Sequence, residues 1–193
     1  EYEYNVTEGT IYKRVWIPNS FGKMDILLQG GIQWNKVPFP LLIHPAANQS
    51  YILEDNTFSL IGNLEFLNDR YLSLMYSWDL SGKLFNRIPL LRKLKWREMV
   101  GLNVLWGTWT DKNNPMKTND KSGLFYFPGH FQPDGTYECN TVVVDPKTPY
   151  VELRLAIHNI LKIVHVDYVR RLTYLSNPNI RKWGIRLTVR MSF

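Results

Sequence analysis

Apolar and polar residues alternate one for one along most of this chain, and that rhythm excludes most folds before any single residue is considered. In residues 183 to 193, Trp183, Ile185, Leu187, Val189, Met191 and Phe193 are separated by Gly184, Arg186, Thr188, Arg190 and Ser192. Successive side chains on a strand point to opposite faces, so this segment has one apolar and one polar face. A helix would scatter the same residues around its circumference.

The same template fits much of the rest. Val151, Leu153, Leu155 and Ile157 alternate with Glu152, Arg154, Ala156 and His158, and Val164, Val166 and Tyr168 alternate with His165 and Asp167. Val100, Leu102, Val104 and Trp106 form one parity, as do Leu72, Leu74, Tyr76, Trp78 and Leu80. Phe58, Leu60, Leu64 and Phe66 read as a further strand, as do Ile26, Leu28, Ile32 and Trp34 and, with weaker alternation, Thr10 to Ile17. The reading is all-β with about eight strands, each near the ~9–11 residues that a tilted strand needs to cross a bilayer. Turn residues fall between them at Ser20-Phe21-Gly22, Asn68-Asp69, Asn159 and Asn177-Pro178-Asn179.

Composition narrows the class. Of 193 residues, 45% are apolar, so the chain must cover a large apolar surface and is not disordered. A single Cys, Cys139, excludes an internal disulfide framework and a Cys-rich zinc site. The net charge of +6 is compatible with anionic lipid or nucleic acid and selects neither. The chain starts at Glu1 without Met or a signal-peptide core, which reads as a processed product or a fragment. No apolar run is long enough for a transmembrane helix, a test that strands escape.

A sheet with one apolar and one polar face is either a soluble sandwich or small barrel, or a membrane barrel with its apolar face in lipid. Three features favour the membrane. The strands are long and uniform against a soluble mean of about 5–6 residues. Aromatics collect near strand ends, at Trp16, Trp34, Trp78, Trp106, Trp109, Trp183, Tyr168 and Phe193, as in interfacial girdles. The polar face carries opposite charges rather than a solvated mixture. Its network is Glu152, Arg154, His158, His165, Asp167, Arg171, Arg186 and Arg190, facing a lumen. Val151, Leu153, Leu155, Ile157, Ile185, Leu187, Val189 and Met191 then face lipid.

A two-residue turn at Ile160-Leu161 sets Arg154 directly across from Asp167 and Glu152 diagonal to Arg171. The Asn68-Asp69 hairpin needs a three-residue loop or a bulge, because both its strands put odd residues on the polar face. With the C-terminus on the periplasmic side, the Asn159 turn is periplasmic, and the 173–180 connection and the long loop 110–147 are external. The same count makes 35–57 and 82–95 periplasmic, and one of these long connections folds into the lumen as a plug.

The tail VDYVRRLTYLSNPNIRKWGIRLTVRMSF (166–193), the stretch RIPLLRKLKWREMVG (87–101) and VPFPLLIHPAANQSY (37–51) resemble the C-terminal barrel region of a Bacteroidota outer-membrane family of unknown function. Members usually carry an N-terminal carboxypeptidase-like regulatory domain, and the resemblance covers nearly the whole chain. AIHNILKIVHVDY is similar to the penultimate turn of TonB-dependent receptors, and Phe193 resembles the terminal aromatic read by outer-membrane assembly machinery. The resemblance implies residues 1–193 as one barrel region, the C-terminal part of a larger barrel, with no catalytic residues to carry over.

Candidate chemistry is sparse. His44, His130, Glu138 and Cys139 match no zinc spacing, and Asp111 to Asp120 lacks the Gly and terminal Glu of an EF-hand loop. His158, His165 and Asp167 read as a polar plug lining rather than a hydrolase triad, since outer-membrane phospholipases keep their catalytic residues on the lipid side. Arg87, Arg92, Lys93, Lys95 and Arg97 are interleaved with Leu90, Leu91 and Leu94, which suits a membrane interface better than nucleic acid. The expectation is an antiparallel up-and-down transmembrane β-barrel of a Gram-negative outer membrane, non-enzymatic, structural or transporting, without metal or cofactor. Its partners are outer-membrane lipid, the assembly machinery through the C-terminal strand, and other outer-membrane proteins. Two alternatives stay open: an assembly or polypeptide-secretion barrel, and a soluble lipocalin-like ligand-binding barrel.

Overall fold

Where side chains alternate, strands form. The computed structural model describes residues 3–19, 21–139, 141–177 and 180–189. Its strands are β1 (Val6–Trp16), β2 (Lys23–Gln33), β3 (Arg70–Asp79), β4 (Arg97–Thr108), β5 (Gly129–Phe131), β6 (Tyr137–Cys139), β7 (Tyr150–Ile160), β8 (Val164–Arg171) and β9 (Trp183–Val189). Seven of them make one antiparallel sheet in the order β1-β2-β3-β4-β7-β8-β9, and β5 and β6 make a small second sheet. The one α-helix among the described residues, α1 (Pro89–Leu94), is short and begins with Pro at its first turn. No helix among the described residues is long and apolar enough to cross a membrane.

The fold class is thus all-β and antiparallel, and the large sheet is open among the described residues: β1 and β9 are its two edges. β1 is exposed along almost its whole length. Part of the β9 edge is covered from within the chain, because Leu53 N donates to Leu187 O at 2.7 Å and Leu187 N donates to Tyr51 O at 2.8 Å. Ile52 there runs parallel to Leu187, a short strap over a sheet edge that would otherwise present unpaired groups.

The stretch 58–66 is not a strand. It lies against the concave face of the sheet, tied by short parallel bridges from Ala47 to Phe58 and from Phe66 to Val142. Phe58, Leu60, Ile61 and Phe66 are buried, so both parities are apolar and buried. Alternation was the misleading signal. Ile61 and Leu67 break it, and Gly62-Asn63 interrupts it. Consequently there is no Asn68-Asp69 hairpin: Asn68 bridges Ile43, and Asp69 leads directly into β3.

Removing that strand also reverses one assignment of sides. Connections 34–69, 109–149 and 172–182 all leave from one end of the sheet, and 17–22, 80–96 and 161–163 from the other. Residues 35–57 therefore share an end with the long loop 110–147, not with 82–95. The internal segment descends far enough to reach Leu187 and returns along the concave face.

The core forms between this segment and the sheet. Leu27, Met75, Leu105 and Tyr150 from four strands meet Phe58, Ile61, Phe66 and Val144. A second cluster of Val37, Leu42, Leu67 and Phe127, flanked by Trp109, joins the two long connections at the loop-rich end. Trp109 sits with its ring 4.2 Å from that of Phe127, so it belongs to this cluster rather than to a girdle.

Candidate functional site: the charged concave face

Strand parity sends the charged residues of β7, β8 and β9 inward except Arg170, which is exposed on the outward face, and most of those inside are buried. Glu152, Asp167, Arg171 and Arg186 are each 2% exposed or less. A buried ion must be paired and hydrogen-bonded. Partners come from the internal segment as much as from neighbouring strands.

Glu152 receives four hydrogen bonds. Its Oε1 accepts from Ser59 N at 2.9 Å and Asn103 Nδ2 at 3.0 Å, and its Oε2 from Leu60 N at 3.2 Å and Tyr150 OH at 3.0 Å. Arg171 forms a two-pronged pair with Glu65, Nη1 to Oε2 at 3.1 Å and Nη2 to Oε1 at 2.5 Å. Its Nε donates to Thr173 O at 3.0 Å, and its guanidinium carbon lies 4.8 Å from the Tyr150 ring centre. Gly62 N and Asn177 Nδ2 complete the Glu65 carboxylate at 2.8 and 3.0 Å. Arg186 donates to Ser59 O. Two carboxylates and two guanidiniums thus fasten residues 59–65 to the sheet.

The register differs from the two-residue-turn expectation. Ile160 pairs with Val164, leaving Leu161, Lys162 and Ile163 in the loop, and a bulge lies between Ile157 and Ile160. Asn159, Leu161 and Lys162 take positive φ there, at 65°, 51° and 71°. Glu152 therefore stands directly across from Arg171, and Ala156 across from Asp167. Arg154 is diagonal to Asp167 and still 3.5 Å from it, Nε to Oδ1. Glu152 and Arg171 do not pair with each other, because each finds a better-placed partner in the internal segment.

The lower half of the face is looser. His158 Nε2 is 3.8 Å from Asp167 Oδ1, and the His158 and His165 rings meet edge to face at 4.4 Å. A cavity of about 700 Å³ lies here, lined among others by Arg14, Asp25, Arg97, Arg154, His158 and His165. Arg14 and Tyr12 close on Asp25 at 2.6 and 2.7 Å.

The opposite face carries the apolar residues. Leu155, Ile185, Leu187 and Val189 are 45%, 49%, 45% and 76% exposed, while Val151, Leu153 and Ile157 are half-buried. Trp34 and Trp183 at one end of the strands and Trp16 at the other are exposed. Arg190, Met191 and Phe193, assigned above to lumen, lipid and assembly signal, lie outside the described residues.

The partner that sequence reasoning missed is Glu65, hidden inside the stretch read as a strand. Asn103 and Tyr150 were missed too, although both share the parity of the inward charges. The remaining candidates do not gather. His130 faces Glu138 across β5 and β6 at 3.5 Å with both exposed, and no group of three metal-ligating side chains occurs among the described residues. His44 Nδ1 donates to Leu42 O at 2.8 Å. Asp111 and Asp120 are occupied by Lys117 and Lys36 at 3.6 and 2.8 Å.

Residues 1–115 match the C-terminal domain of a family of unknown function, DUF5686. The chain belongs to that family. No curated protein and no solved structure matches it. In family terms the match spans β1 to β4 and the internal segment, so the segment that fills the concave face is part of the DUF5686 C-terminal domain.

Proposed function

We propose that this chain is the C-terminal part of an outer-membrane β-barrel with a structural or transport role and no catalysis, its interior occupied by residues 34–69. One observation carries the reading: along β9 charge is inside and hydrocarbon outside. Arg186 is 2% exposed, whereas its strand neighbours Ile185 and Leu187 are 49% and 45% exposed. In water that arrangement leaves a continuous apolar face uncovered; in lipid it is the stable one. A soluble lipocalin-like barrel needs the reverse.

Topology supports a larger barrel. Seven alternating strands make β1 and β9 run in the same direction, so joining them directly gives a parallel pair. Bacterial single-chain barrels have an even number of antiparallel strands, so an odd number of further strands belongs between these edges. The two longest connections, 34–69 and 109–149, leave from the same end, which fits the external side. The N-terminal regulatory domain and Bacteroidota setting implied by the family resemblance belong to the same proposal, as do lipid and the assembly machinery as partners.

A second reading, an assembly or secretion barrel with an opening seam, is favoured by the strap at Tyr51–Leu53, which occupies one seam edge through two backbone hydrogen bonds among the described residues. Detergent phase separation tests the main proposal: the protein enters the detergent phase. Recovery in the aqueous phase would sink it. Conductance in a planar bilayer then tells a plugged barrel from an open pore, and the anchored segment predicts low conductance.

A further inference from the structure

On the outward face, at the loop-rich end of β1 to β4, the apolar band contains a dent. Gly9, Gly30, Leu72 and Trp106 form one cross-strand row on that face. Two adjacent glycines leave the row without side chains on its β1 and β2 positions. A Cβ at Gly9 would meet no atom within 4 Å. The resulting trough of about 630 Å³ is walled by Ile32, Leu72 and Trp106, with Thr7, Thr108 and Arg70 at its end.

Arg70 occupies the next row toward the loops, between Ile32 and Thr108. It is exposed, and its side chain has no hydrogen bond or ion pair among the described residues. The nearest carboxylate in the trough lining, Glu8, has its side chain on the opposite face, where it accepts from Tyr71 OH at 3.0 Å. A guanidinium standing alone at the margin of an apolar surface calls for an anion, and its planar fork suits phosphate oxygens. A single cation above an apolar trough is complementary to one type of molecule, an acylated one with a phosphate at its head.

We propose that this trough is a binding site for an acylated lipid with a phosphate headgroup, with Arg70 holding the phosphate and one acyl chain lying over Gly9 and Gly30 between Leu72 and Trp106. The site rests on the membrane reading above and deepens it by naming a lipid class and its contacts.

The test uses the full-length protein purified in detergent, titrated with phosphatidylglycerol and, separately, phosphatidylcholine, with adducts counted by native mass spectrometry. Wild type retains both lipids. Arg70→Ala lowers the adducts of both about tenfold. Gly9→Leu, which fills open space, lowers adducts of both lipids. Glycerol phosphate in excess leaves the adducts in place, since the acyl chain contributes to binding. Unchanged adducts in Arg70→Ala and Gly9→Leu, or displacement by glycerol phosphate, overturn the site. If Gly9→Leu does not fold, Arg70→Ala decides alone. Failure of the underlying reading looks different: the protein then stays in the aqueous phase during detergent phase separation, before any lipid is added.

Discussion

The Glu65–Arg171 pair concentrates what single residues contribute here. Both side chains are almost completely buried, at 7% and 0% exposure, and each is hydrogen-bonded beyond the pair itself. Removing one member strands the other charge. Arg171→Met is expected to lower stability by about 3–5 kcal/mol, read from urea unfolding in micelles, and the double change with Glu65→Leu to recover much of it. Equal losses in single and double variants would show that the pair is not coupled. Alternation placed Arg171, Glu152, Asp167 and Arg186 on one face, but nothing local marked Glu65 as their counterpart, because its partner is over a hundred residues away in sequence. His44 offers a pH readout in the loop-rich region. Burial pushes its imidazole below the ordinary value of about 6.5, so its contribution is present above that value and lost as pH falls through the lowered one. Melting at about pH 7.5 and about pH 5 should therefore separate wild type from His44→Gln, whose drop on acidification is smaller. Parallel drops would remove His44 from the account.

Elements behave according to which face is covered. Leu155 stands in the middle of β7 on the outward face, flanked by strands on both sides. Facing lipid, Leu155→Arg is expected to cost about 2–4 kcal/mol in a bilayer or micelle; facing water, it is close to neutral. Folding yield into vesicles measures the difference. The strap is the second element with a prediction. Leu53→Pro deletes the N–H that Leu187 O accepts, so backbone exchange at Leu187 and nearby β9 residues should rise while β2 to β7 keep their protection. Unchanged exchange would mean the strap contributes nothing to the edge. Strand existence was legible at this scale for seven of the eight expected segments, because each presents one wet and one dry face. Register was not. The bulge between Ile157 and Ile160 goes with positive φ at Asn159, Leu161 and Lys162, and side-chain alternation gives only the parity of loop and bulge together, not where the extra residue falls.

At the scale of the whole molecule, the internal segment and the open seam set the behaviour. The segment 34–69 is fastened by Glu152, Arg171 and Arg186 to three neighbouring strands, so it moves only if several buried bonds break together. Deleting residues 46–57 removes the strap and leaves the Glu65 anchor, and in a planar bilayer this variant is expected to conduct more than wild type. Equal conductance would assign occlusion to another part of the chain.

Sequence alone determined the alternation, hence the all-β class, the strand sites and which charges share a face, because a period of two is a local consequence of backbone geometry. Tertiary structure alone decided that 58–66 leaves the sheet and packs beneath it, that Glu65 rather than Glu152 meets Arg171, and that the strap reaches β9. Those outcomes depend on contacts between residues far apart in the chain, and a short segment with apolar residues on both sides reads the same whether a sheet or a cavity surrounds it.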